Sequence, residues 1–391
     1  MKVLQINSVC GIRSTGRICT DLADVLEQNG DECKIAYGRE AVPEKYKKYA
    51  IRIGSDMDVK IHALQSRIFD NAGFCSKKAT EHFIERVKVY NPDVIHLHNI
   101  HGYYINIEVL FNYLAESNKP IIWTLHDCWT FTGHCAHYSF AQCDKWKTGC
   151  CGCPQKRGYP SSLVFDSSKR NWERKKNLFT SVKKMTLVTP SRWLASQVEQ
   201  SFLNKYSIRV IPNGIDLNVF KPTPTDFRKK NNLEGKKIIL GVASAWGPRK
   251  GLCDFVELSK ILDENYKIVL VGVTAKQKKE LPRSILAIER TNNIKELAEI
   301  YTAAEVLFNP TYEDTYPTVN LEAQACGTPV VTYRTGGSIE SVPCQNIVEN
   351  FKALPDILSA KIDIKKDLTM NKSVLFNLYL DVYKQTVRSI K

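Results

Sequence analysis

Short apolar runs alternate with amphipathic stretches from the second residue of the chain onward. The run KVLQIN at residues 2–7 is followed by residues 16–29, where Ile18, Leu22 and Val25 share one helical face. Further strands are predicted at residues 33–38, 93–98, 120–126, 185–190 and 208–212. Because strands and helices alternate, the pattern predicts a parallel sheet that is covered by helices on both faces.

The same pattern restarts after residues 211–227, a segment rich in Pro, Asn and Thr. New strands are predicted at residues 236–244, 266–273, 284–289, 304–310 and 328–333. We therefore predict two doubly wound α/β domains, residues 1–212 and 213–372. A last helix at 373–391 is expected to pack back on the first domain through the apolar positions Val374, Leu375, Leu378, Leu380 and Val382.

Composition narrows the class of protein. No apolar run reaches the roughly 18 residues that cross a bilayer, and the first residues lack the features of a secretory leader, so we expect a cytoplasmic protein. The 13 cysteines are then expected to be reduced thiols. A net charge of +14 favours an anionic partner, which can be a phosphorylated ligand, an anionic membrane surface or nucleic acid.

A glycine-containing loop follows the first predicted strand. Gly11 and Gly16 have the spacing of the phosphate-binding loop of P-loop NTPases, but Arg17 and Ile18 stand where that loop needs Lys and Ser or Thr. The three-glycine pattern of dinucleotide-binding proteins is absent from the sequence as well. These features disfavour an NTPase and a dehydrogenase, and a tight strand-to-helix turn is the structural alternative.

Two acidic residues flank a predicted helix start in the second half. Asp314 and Glu322 lie on either side of Pro317, a residue favoured at the beginning of helices. Backbone N–H groups near Thr318 and Val319 would then form an anion site, and Glu322 could accept hydrogen bonds from hydroxyl groups. The pattern indicates sugar-nucleotide recognition, and an ordinary strand-loop-helix unit with surface acids is the alternative.

Three stretches together resemble the family-four retaining glycosyltransferases. The stretch NPTYEDTYPTVNLEAQACGTPVV is similar to the paired-acid motif of that family, and VIPNGIDLNVFKP is similar to its linker signature. GVASAWGPRKGL occupies the place of its donor-binding basic pair. The resemblance covers nearly the whole chain and implies the GT-B fold, two facing Rossmann-like domains with a cleft between them. WTLHDCWTFTGHC resembles a subgroup that builds bacterial exopolysaccharides and capsules.

Matched by position, the resemblance implies roles for single residues. Lys250 would bind the donor diphosphate, Glu322 the ribose, and Asp314 the transferred sugar, which His126 would approach from the other domain. Ser244 replaces the usual Arg, so Arg249 is expected to supply the second cation. The full predicted set comprises catalytic His126, Asp314, Lys250 and Arg249, donor-binding Glu322, Ser244, Thr318, Val319 and Arg290, and acceptor-side Arg13, Ser14, Thr15 and Gly16.

The chemistry that the resemblance implies is transfer with retention of the anomeric configuration, by front-face attack with the departing phosphate oxygen as base. Fixed cations and helix-terminal amides would stabilise the leaving nucleoside diphosphate, so no metal or other cofactor is expected for the transfer step. The expected donor is a UDP- or GDP-linked sugar, and the expected acceptor is a saccharide or a lipid-linked saccharide.

Three weaker patterns have structural alternatives. Cys135, Cys143, Cys150 and Cys153 suggest a structural zinc site after His126, with reduced loop thiols as the alternative. Residues 169–184 mix basic residues with Trp172, Leu178 and Phe179, as a membrane-surface helix does, and a solvated helix with a buried apolar stripe is the alternative. His96, His98 and His101 are expected to line a cleft or pack in the core rather than bind metal.

The functional hypothesis is a glycosyltransferase that works at the inner face of the cell membrane in bacterial polysaccharide synthesis. A nucleotide-sugar epimerase of the same fold is the alternative within enzymes. A nucleic-acid-binding protein would also explain the positive charge, but the sequence contains no recognition-helix or ribonucleoprotein motif, so no nucleic-acid partner is expected.

Overall fold

The computed structural model describes residues 1–360, 362–365 and 371–388. The chain divides into two compact units: unit 1 is Met1–Ile211 together with the chain from Phe376 onward, and unit 2 is Pro212–Leu375. The division lies one residue before the predicted boundary between residues 212 and 213. Of the predicted helix 373–391, residues 389–391 lie outside the described residues.

Unit 1 alternates strands and helices along the chain. Its elements are β1 Lys2–Asn7, α1 Arg13–Gln28, β2 Glu32–Tyr37, β3 Ala50–Arg52, α2 Asp56–Phe69, α3 Lys77–Tyr90, β4 Val94–Leu97, α4 Ile107–Glu116, β5 Ile121–Thr124, α5 Ser168–Phe179, β6 Met185–Thr189, α6 Arg192–Glu199 and β7 Ser207–Val210. The strands form one parallel sheet in the order β3-β2-β1-β4-β5-β6-β7. Because helices cover both faces, β4 and β5 are buried along their whole length.

Unit 2 repeats the arrangement with shorter helices. Its elements are α7 Phe227–Lys230, β8 Lys237–Val242, α8 Leu252–Ile261, β9 Tyr266–Val271, α9 Ala275–Glu280, β10 Ile285–Ile288, α10 Ile294–Ala303, β11 Val306–Asn309, α11 Thr318–Ala325, β12 Val330–Tyr333, β13 Ile347–Val348 and α12 Leu354–Ser359. The parallel sheet has the order β10-β9-β8-β11-β12-β13. In both sheets the strand order reverses beside the first strand, so ligands are expected at the carboxyl ends of β1 and β4 and of β8 and β11.

The predicted α/β class is confirmed, and the differences are local. Two strands that the pattern did not predict, β3 and β13, lie at sheet edges and contain only three and two residues. The last helix, α13 Lys372–Arg388, buries three of the five predicted apolar positions, Leu375, Leu380 and Val382. Val374 and Leu378 are exposed, because the buried stripe consists of Leu375, Phe376, Tyr379, Leu380 and Tyr383. Among the described residues, every helix is too short or too polar to cross a bilayer.

Candidate functional site

Two loops at the carboxyl edge of the unit 2 sheet carry most of the predicted donor-binding residues. One loop leaves β8 and ends in the short turn Pro248–Lys250, and the other runs from β11 to α11. Since β8 and β11 are neighbours, the loops lie side by side, and the Tyr312 N–H donates to the Arg249 carbonyl at 2.9 Å. The basic and acidic residues of the two motifs therefore meet at the sheet edge.

The two basic residues of this edge are both next to carboxylates. Lys250 Nζ lies 2.5 Å from Asp314 Oδ2, and these side chains are 21% and 19% exposed. Lys250 also donates to Thr311 Oγ1 at 3.4 Å. Arg249 Nε lies 3.9 Å from Glu313 Oε2, a carboxylate that is almost fully buried, while Arg249 itself is well exposed. Both cations are thus held in place and remain accessible to a ligand.

The loop before α11 is held by its own backbone. Asp314 Oδ1 accepts from the Tyr316 N–H at 3.2 Å, and the Asp314 carbonyl accepts from the Gly337 N–H at 3.0 Å. Gly336 has a φ of +51°, and a Cβ there would lie 2.1 Å from the Asp314 carbonyl oxygen, so only glycine fits this turn. These contacts fix the position of the Asp314 carboxylate.

The first turn of α11 has the character of an anion site. The helix begins at Thr318 directly after Pro317, and the proline provides no side-chain cap. The N–H groups of a first helical turn have no partner within the helix, and the helix dipole adds partial positive charge there. Thr318 and Val319 are half-buried in this turn. The predicted anion site therefore has the expected local structure.

Glu322 is oriented by a buried tyrosine. Tyr301 on α10 is fully buried, and its hydroxyl donates to Glu322 Oε2 at 2.9 Å. Burial raises the pKa of Tyr301, and the carboxylate raises it further, so the hydroxyl remains a donor at any physiological pH. A second buried contact, from Asn309 Nδ2 to Asn320 Oδ1 at 2.8 Å, ties α11 to β11.

Ser244 and Arg290 lie at the same sheet edge, farther from this group. Ser244 is exposed in the loop that leaves β8, and Arg290 is exposed two residues after β10. Strand β9 separates β10 from β8, so Arg290 is two strands away from the Lys250 loop. Among the predicted residues of unit 2, Lys250 and Asp314 are in direct contact, whereas Arg290 lies two strands away from Lys250.

In unit 1, His126 lies two residues beyond β5 at the carboxyl edge of the sheet and is half-buried. Its Nε2 lies 3.1 Å from His98 Nδ1, and His98 Nε2 lies 3.1 Å from Gln5 Oε1. Burial lowers the pKa of His98, and it lowers the pKa of His126 to about 4. Both imidazoles are therefore neutral near pH 7.

The hydrogen bonds of Gln5 determine the tautomers of both rings. Gln5 Nε2 donates to the Cys19 carbonyl at 2.8 Å, so Oε1 faces His98 and must accept the Nε2–H of that ring. His98 Nδ1 is then an acceptor, and His126 Nε2 carries the proton that it donates. In this tautomer His126 Nδ1 is a hydrogen-bond acceptor.

The other two predicted histidines, His96 and His101, are buried and hydrogen-bonded. His96 bonds to the Tyr383 hydroxyl at 2.6 Å and to Thr124 Oγ1 at 2.8 Å. His101 Nε2 lies 2.8 Å from Asp127 Oδ2. Burial alone would raise the pKa of Asp127, but the neighbouring His101 lowers it overall. These histidines orient the strand ends, in agreement with the expected packing role.

The glycine loop after β1 is structured differently from the prediction. Helix α1 begins at Arg13, so Ser14, Thr15 and Gly16 belong to its first turn. Gly16 is buried, and a Cβ there would lie 3.0 Å from Val9 Cγ2 and 3.2 Å from the Gly11 nitrogen. Gly16 therefore packs the helix against its own loop, and its acceptor-side role stays a prediction. Arg13 pairs with Glu40 at 2.7 Å and is exposed, as is Ser14.

The basic-aromatic segment is not a membrane surface. Trp172 and Phe179 of α5 are buried in unit 1. Lys175 is 1% exposed, and its Nζ donates to the carbonyls of Trp129 and Thr132 at 2.8 and 3.1 Å. The membrane interpretation of residues 169–184 is therefore wrong, and the alternative of a buried stripe is correct. The aromatic residues point inward because α5 packs against the insertion after β5.

The four cysteines of the predicted zinc site converge in that insertion. Cys135, Cys143, Cys150 and Cys153 line one small cavity of about 10 Å³. Within the described ranges, no three side chains of His, Cys, Asp or Glu already stand in an arrangement that could hold a metal ion. All four cysteines are free thiols in the structure.

Several contact residues of the site were not predicted. Glu313 is the buried partner of Arg249. It directly precedes Asp314 in the sequence, and this second acidic residue could have been noticed as a candidate site residue. Tyr301 and Thr311 reach Glu322 and Lys250 from separate elements. Thr311 lies within the quoted paired-acid stretch, three residues before Asp314, whereas Tyr301 belongs to none of the quoted motifs and has no local sequence signal.

Comparisons with known proteins agree on one family. The model of Glycosyltransferase Family 4 matches residues 15–219, and the model of Glycosyl transferases group 1 matches residues 224–348. A putative colanic acid biosynthesis glycosyl transferase, WcaC of Escherichia coli K12, is 28% identical over 229 residues, 56% of this chain and 55% of its own length. A D-inositol 3-phosphate glycosyltransferase of Stackebrandtia nassauensis is 32% identical over 157 residues, 34% of this chain and 35% of its own length. The chain thus spans about half the length of the E. coli relative and about a third of the length of the Stackebrandtia relative.

Solved structures show the same fold over the whole chain. Sucrose-phosphate synthase from Thermosynechococcus elongatus superposes with a TM-score of 0.69 at 16% identity and 99% coverage of both chains. Anabaena Alr3699/HepE, in complex with UDP and glucose, has a TM-score of 0.61 at 16% identity, covering 100% of this chain and 97% of that one. The predicted GT-B fold is thereby confirmed. Since the family model covers more than half of the sequence, the chain belongs to glycosyltransferase family 4.

Proposed function

We propose that this protein transfers a sugar from a nucleotide-sugar donor to a saccharide or lipid-linked saccharide acceptor, with retention. The observation that carries the proposal is the Lys250–Asp314 pair, which lies one loop before the uncapped first turn of α11. A fixed cation next to exposed helix amides suits a diphosphate, and a carboxylate in the same contact suits a sugar hydroxyl.

The proposed chemistry depends on charge that develops when the anomeric bond breaks. The leaving nucleoside diphosphate gains negative charge, and Lys250, Arg249 and the α11 amides would stabilise that charge without reorganising. Enzymes of this family are typically metal-independent, and the two cations would perform the role that a divalent ion has elsewhere.

Recognition of the donor is assigned to the remaining residues of the edge. Glu322, oriented by Tyr301, would accept hydrogen bonds from the ribose hydroxyls. Asp314 and His126 would serve the transferred sugar, with His126 Nδ1 as acceptor. Ser244, Thr318 and Val319 would contact the phosphates, and Arg290 would reach the outer part of the nucleotide. Arg13, Ser14 and Thr15 are proposed to contact the acceptor.

Two of the similar proteins suggest the substrates. Anabaena Alr3699/HepE was determined with UDP and glucose, which supports a UDP-linked donor, and the E. coli relative is named for colanic acid biosynthesis, which supports polysaccharide assembly. We infer a UDP-sugar as the first donor to test, with a GDP-sugar as its comparison.

An activity assay separates this function from an epimerase. The protein would be incubated with UDP-glucose or GDP-mannose, with and without a lipid-linked saccharide, and the products analysed by NMR. A transferase releases nucleoside diphosphate in an acceptor-dependent manner and retains the anomeric configuration. Conversion of the donor sugar to its epimer without an acceptor would replace the proposal with the isomerase.

We further propose that unit 1 contacts an anionic membrane surface through an apolar patch on α2. Met57, Ile61 and Leu64 share one face of this helix and are 62%, 49% and 59% exposed. Exposed Lys60 and Arg67 lie on the same helix. The patch continues through Phe69 at the end of α2 and through Leu163, Val164 and Phe165 of a neighbouring loop, all exposed. The rings of Phe69 and Phe165 are stacked at 5.9 Å.

Exposed apolar side chains can enter a bilayer surface, and the neighbouring basic side chains attract anionic lipid headgroups. The net charge of +14 strengthens the attraction to such a surface. Vesicles that contain phosphatidylglycerol are expected to sediment the protein, less so at high salt, and Ile61→Glu with Leu64→Glu should weaken this. Val89→Glu, at an isolated apolar position that is 88% exposed on α3, is the matched control. Equal recovery with neutral and anionic vesicles would count against the patch.

A further inference from the structure

The insertion between β5 and α5 contains a cavity whose lining is unusual. Its lining includes the sulfur-bearing side chains of Cys135, Cys143, Cys150 and Cys153, together with His134. The Gly133 N–H donates to Cys150 Sγ at 3.1 Å, a contact that stabilises negative charge on sulfur. These lining residues, as far as 19 positions apart in the chain, thus converge on one cavity.

A buried nitrogen of the same cavity lacks a partner. His134 is 2% exposed, and its Nδ1 donates to the Asp70 carboxylate. Its Nε2 is buried and makes no hydrogen bond with any described residue. Buried polar atoms are normally satisfied, so this nitrogen points to a missing partner in the cavity.

A buried cation lies next to the cavity. Lys175 is 1% exposed, and its bonds are to two carbonyls and to the face of the Trp129 ring, whose centroid is 3.3 Å away. One of those carbonyls belongs to Thr132, which lines the cavity. No carboxylate pairs with Lys175 in the part of the chain that the structure describes. An ammonium group that is buried without a direct ion-pair partner is costly, so an anionic centre nearby would stabilise it.

We propose that Cys135, Cys143, Cys150 and Cys153 bind one structural zinc ion as a tetrathiolate site. Zinc replaces the four thiol protons, which leave to solvent, and the resulting centre has a net charge of −2. Lys175 supplies one compensating positive charge next to this centre.

The thiols must draw together to bind the ion, since they are not yet in a metal-binding arrangement. With Zn–S bonds of about 2.3 Å, tetrahedral geometry places the sulfurs about 3.8 Å apart. The Cys135 thiol already makes a side-chain hydrogen bond with Cys153, so this pair is close to that separation. Zinc would then stabilise the insertion that follows His126, independently of the donor site in unit 2.

Metal content of the full-length protein tests the proposal. Zinc measured by mass spectrometry after purification is expected at about one ion per chain, and Cys135→Ser and Cys150→Ser should each reduce it to less than about a fifth of that. Cys151→Ser, adjacent to a ligand but exposed, and Cys344→Ser in unit 2 are the matched controls and should retain the zinc. Zinc loss in Cys151→Ser with retention in Cys150→Ser would overturn the ligand set.

Cobalt substitution of the unmutated protein gives a second readout that does not depend on the variants folding. Cobalt bound by four thiolates produces strong sulfur-to-metal charge-transfer absorption and the intense visible bands of a tetrahedral site. Absence of these bands together with absence of zinc would overturn the proposal. A disulfide between Cys135 and Cys153 in the purified protein would overturn it as well.

Discussion

Replacement of Asp314 by Asn is expected to tighten the binding of UDP while it abolishes most of the transfer activity. Lys250 Nζ lies 2.5 Å from Asp314 Oδ2, and the two side chains are 21% and 19% exposed. Two unit charges whose centres are about 4 Å apart attract each other by about 4 kcal/mol at an effective dielectric constant of 20. A diphosphate must compete with this attraction and also meets the repulsion of the carboxylate.

Most of that attraction is offset by hydration, and a hydrogen bond between charged groups contributes about 1.5–3 kcal/mol net. When UDP displaces Asp314 from Lys250, the contact of Lys250 with the diphosphate replaces only part of the lost stabilisation. Asp314→Asn removes this competition, so we expect it to improve UDP binding by about 1–2 kcal/mol, or about 5–30-fold. Isothermal titration calorimetry with UDP measures the change. Asp226→Asn, which removes the same charge beside the exposed Lys230 on α7, is the control and should have no effect. Unchanged or weaker UDP binding by Asp314→Asn would refute the competition.

Four further changes have directional outcomes. Lys250→Ala is expected to lower turnover with the full donor by about a hundredfold or more, because its charge matters most as the diphosphate leaves. Glu322→Gln should weaken UDP binding in calorimetry, whereas His126→Ala should impair transfer and leave UDP affinity within about twofold, since UDP lacks the sugar. Acid should destabilise unit 1 selectively, because all eight histidines lie there and burial lowers the pKa of His62 and His96 to about 3. The unfolded chain then binds more protons than the folded chain below pH 6.5, so at pH 5 each such histidine lowers the free energy of unfolding by up to about 2 kcal/mol. Hydrogen exchange measures the loss of amide protection on acidification, and an equal loss in both units would contradict this prediction.

Much of the fold follows from hydrophobic periodicity, and the exceptions have physical causes. Strands such as β1 and β9 have long apolar runs because both faces of the sheet are covered. The edge strands β3 and β13 make few sheet contacts and need little apolar sequence, so periodicity does not detect them. In α13, Tyr379 and Tyr383 are buried through their hydrogen bonds to Thr124 and His96, and hydrophobicity alone does not reveal such polar contacts.

The candidate site was only partly predictable for a related reason. Motif spacing identifies Lys250 and Asp314 as residue types, but their ion pair joins positions 64 apart, and only the neighbouring placement of β8 and β11 brings them together. The basic and aromatic composition of α5 led to the wrong prediction of a membrane-surface helix. Lys175 is buried there because two carbonyls of a loop distant in sequence accept its hydrogen bonds. The packing of Gly16 against Val9 likewise has no signal in the sequence pattern.

A crystal structure of the protein with a bound UDP-sugar tests the central claim most directly. We expect the diphosphate to contact Lys250 and the N–H groups of Thr318 and Val319, and the ribose hydroxyls to lie within hydrogen-bond distance of Glu322. Nucleotide bound away from the carboxyl ends of β8 and β11, or ordered at this edge without contact to Lys250 or Glu322, would contradict it.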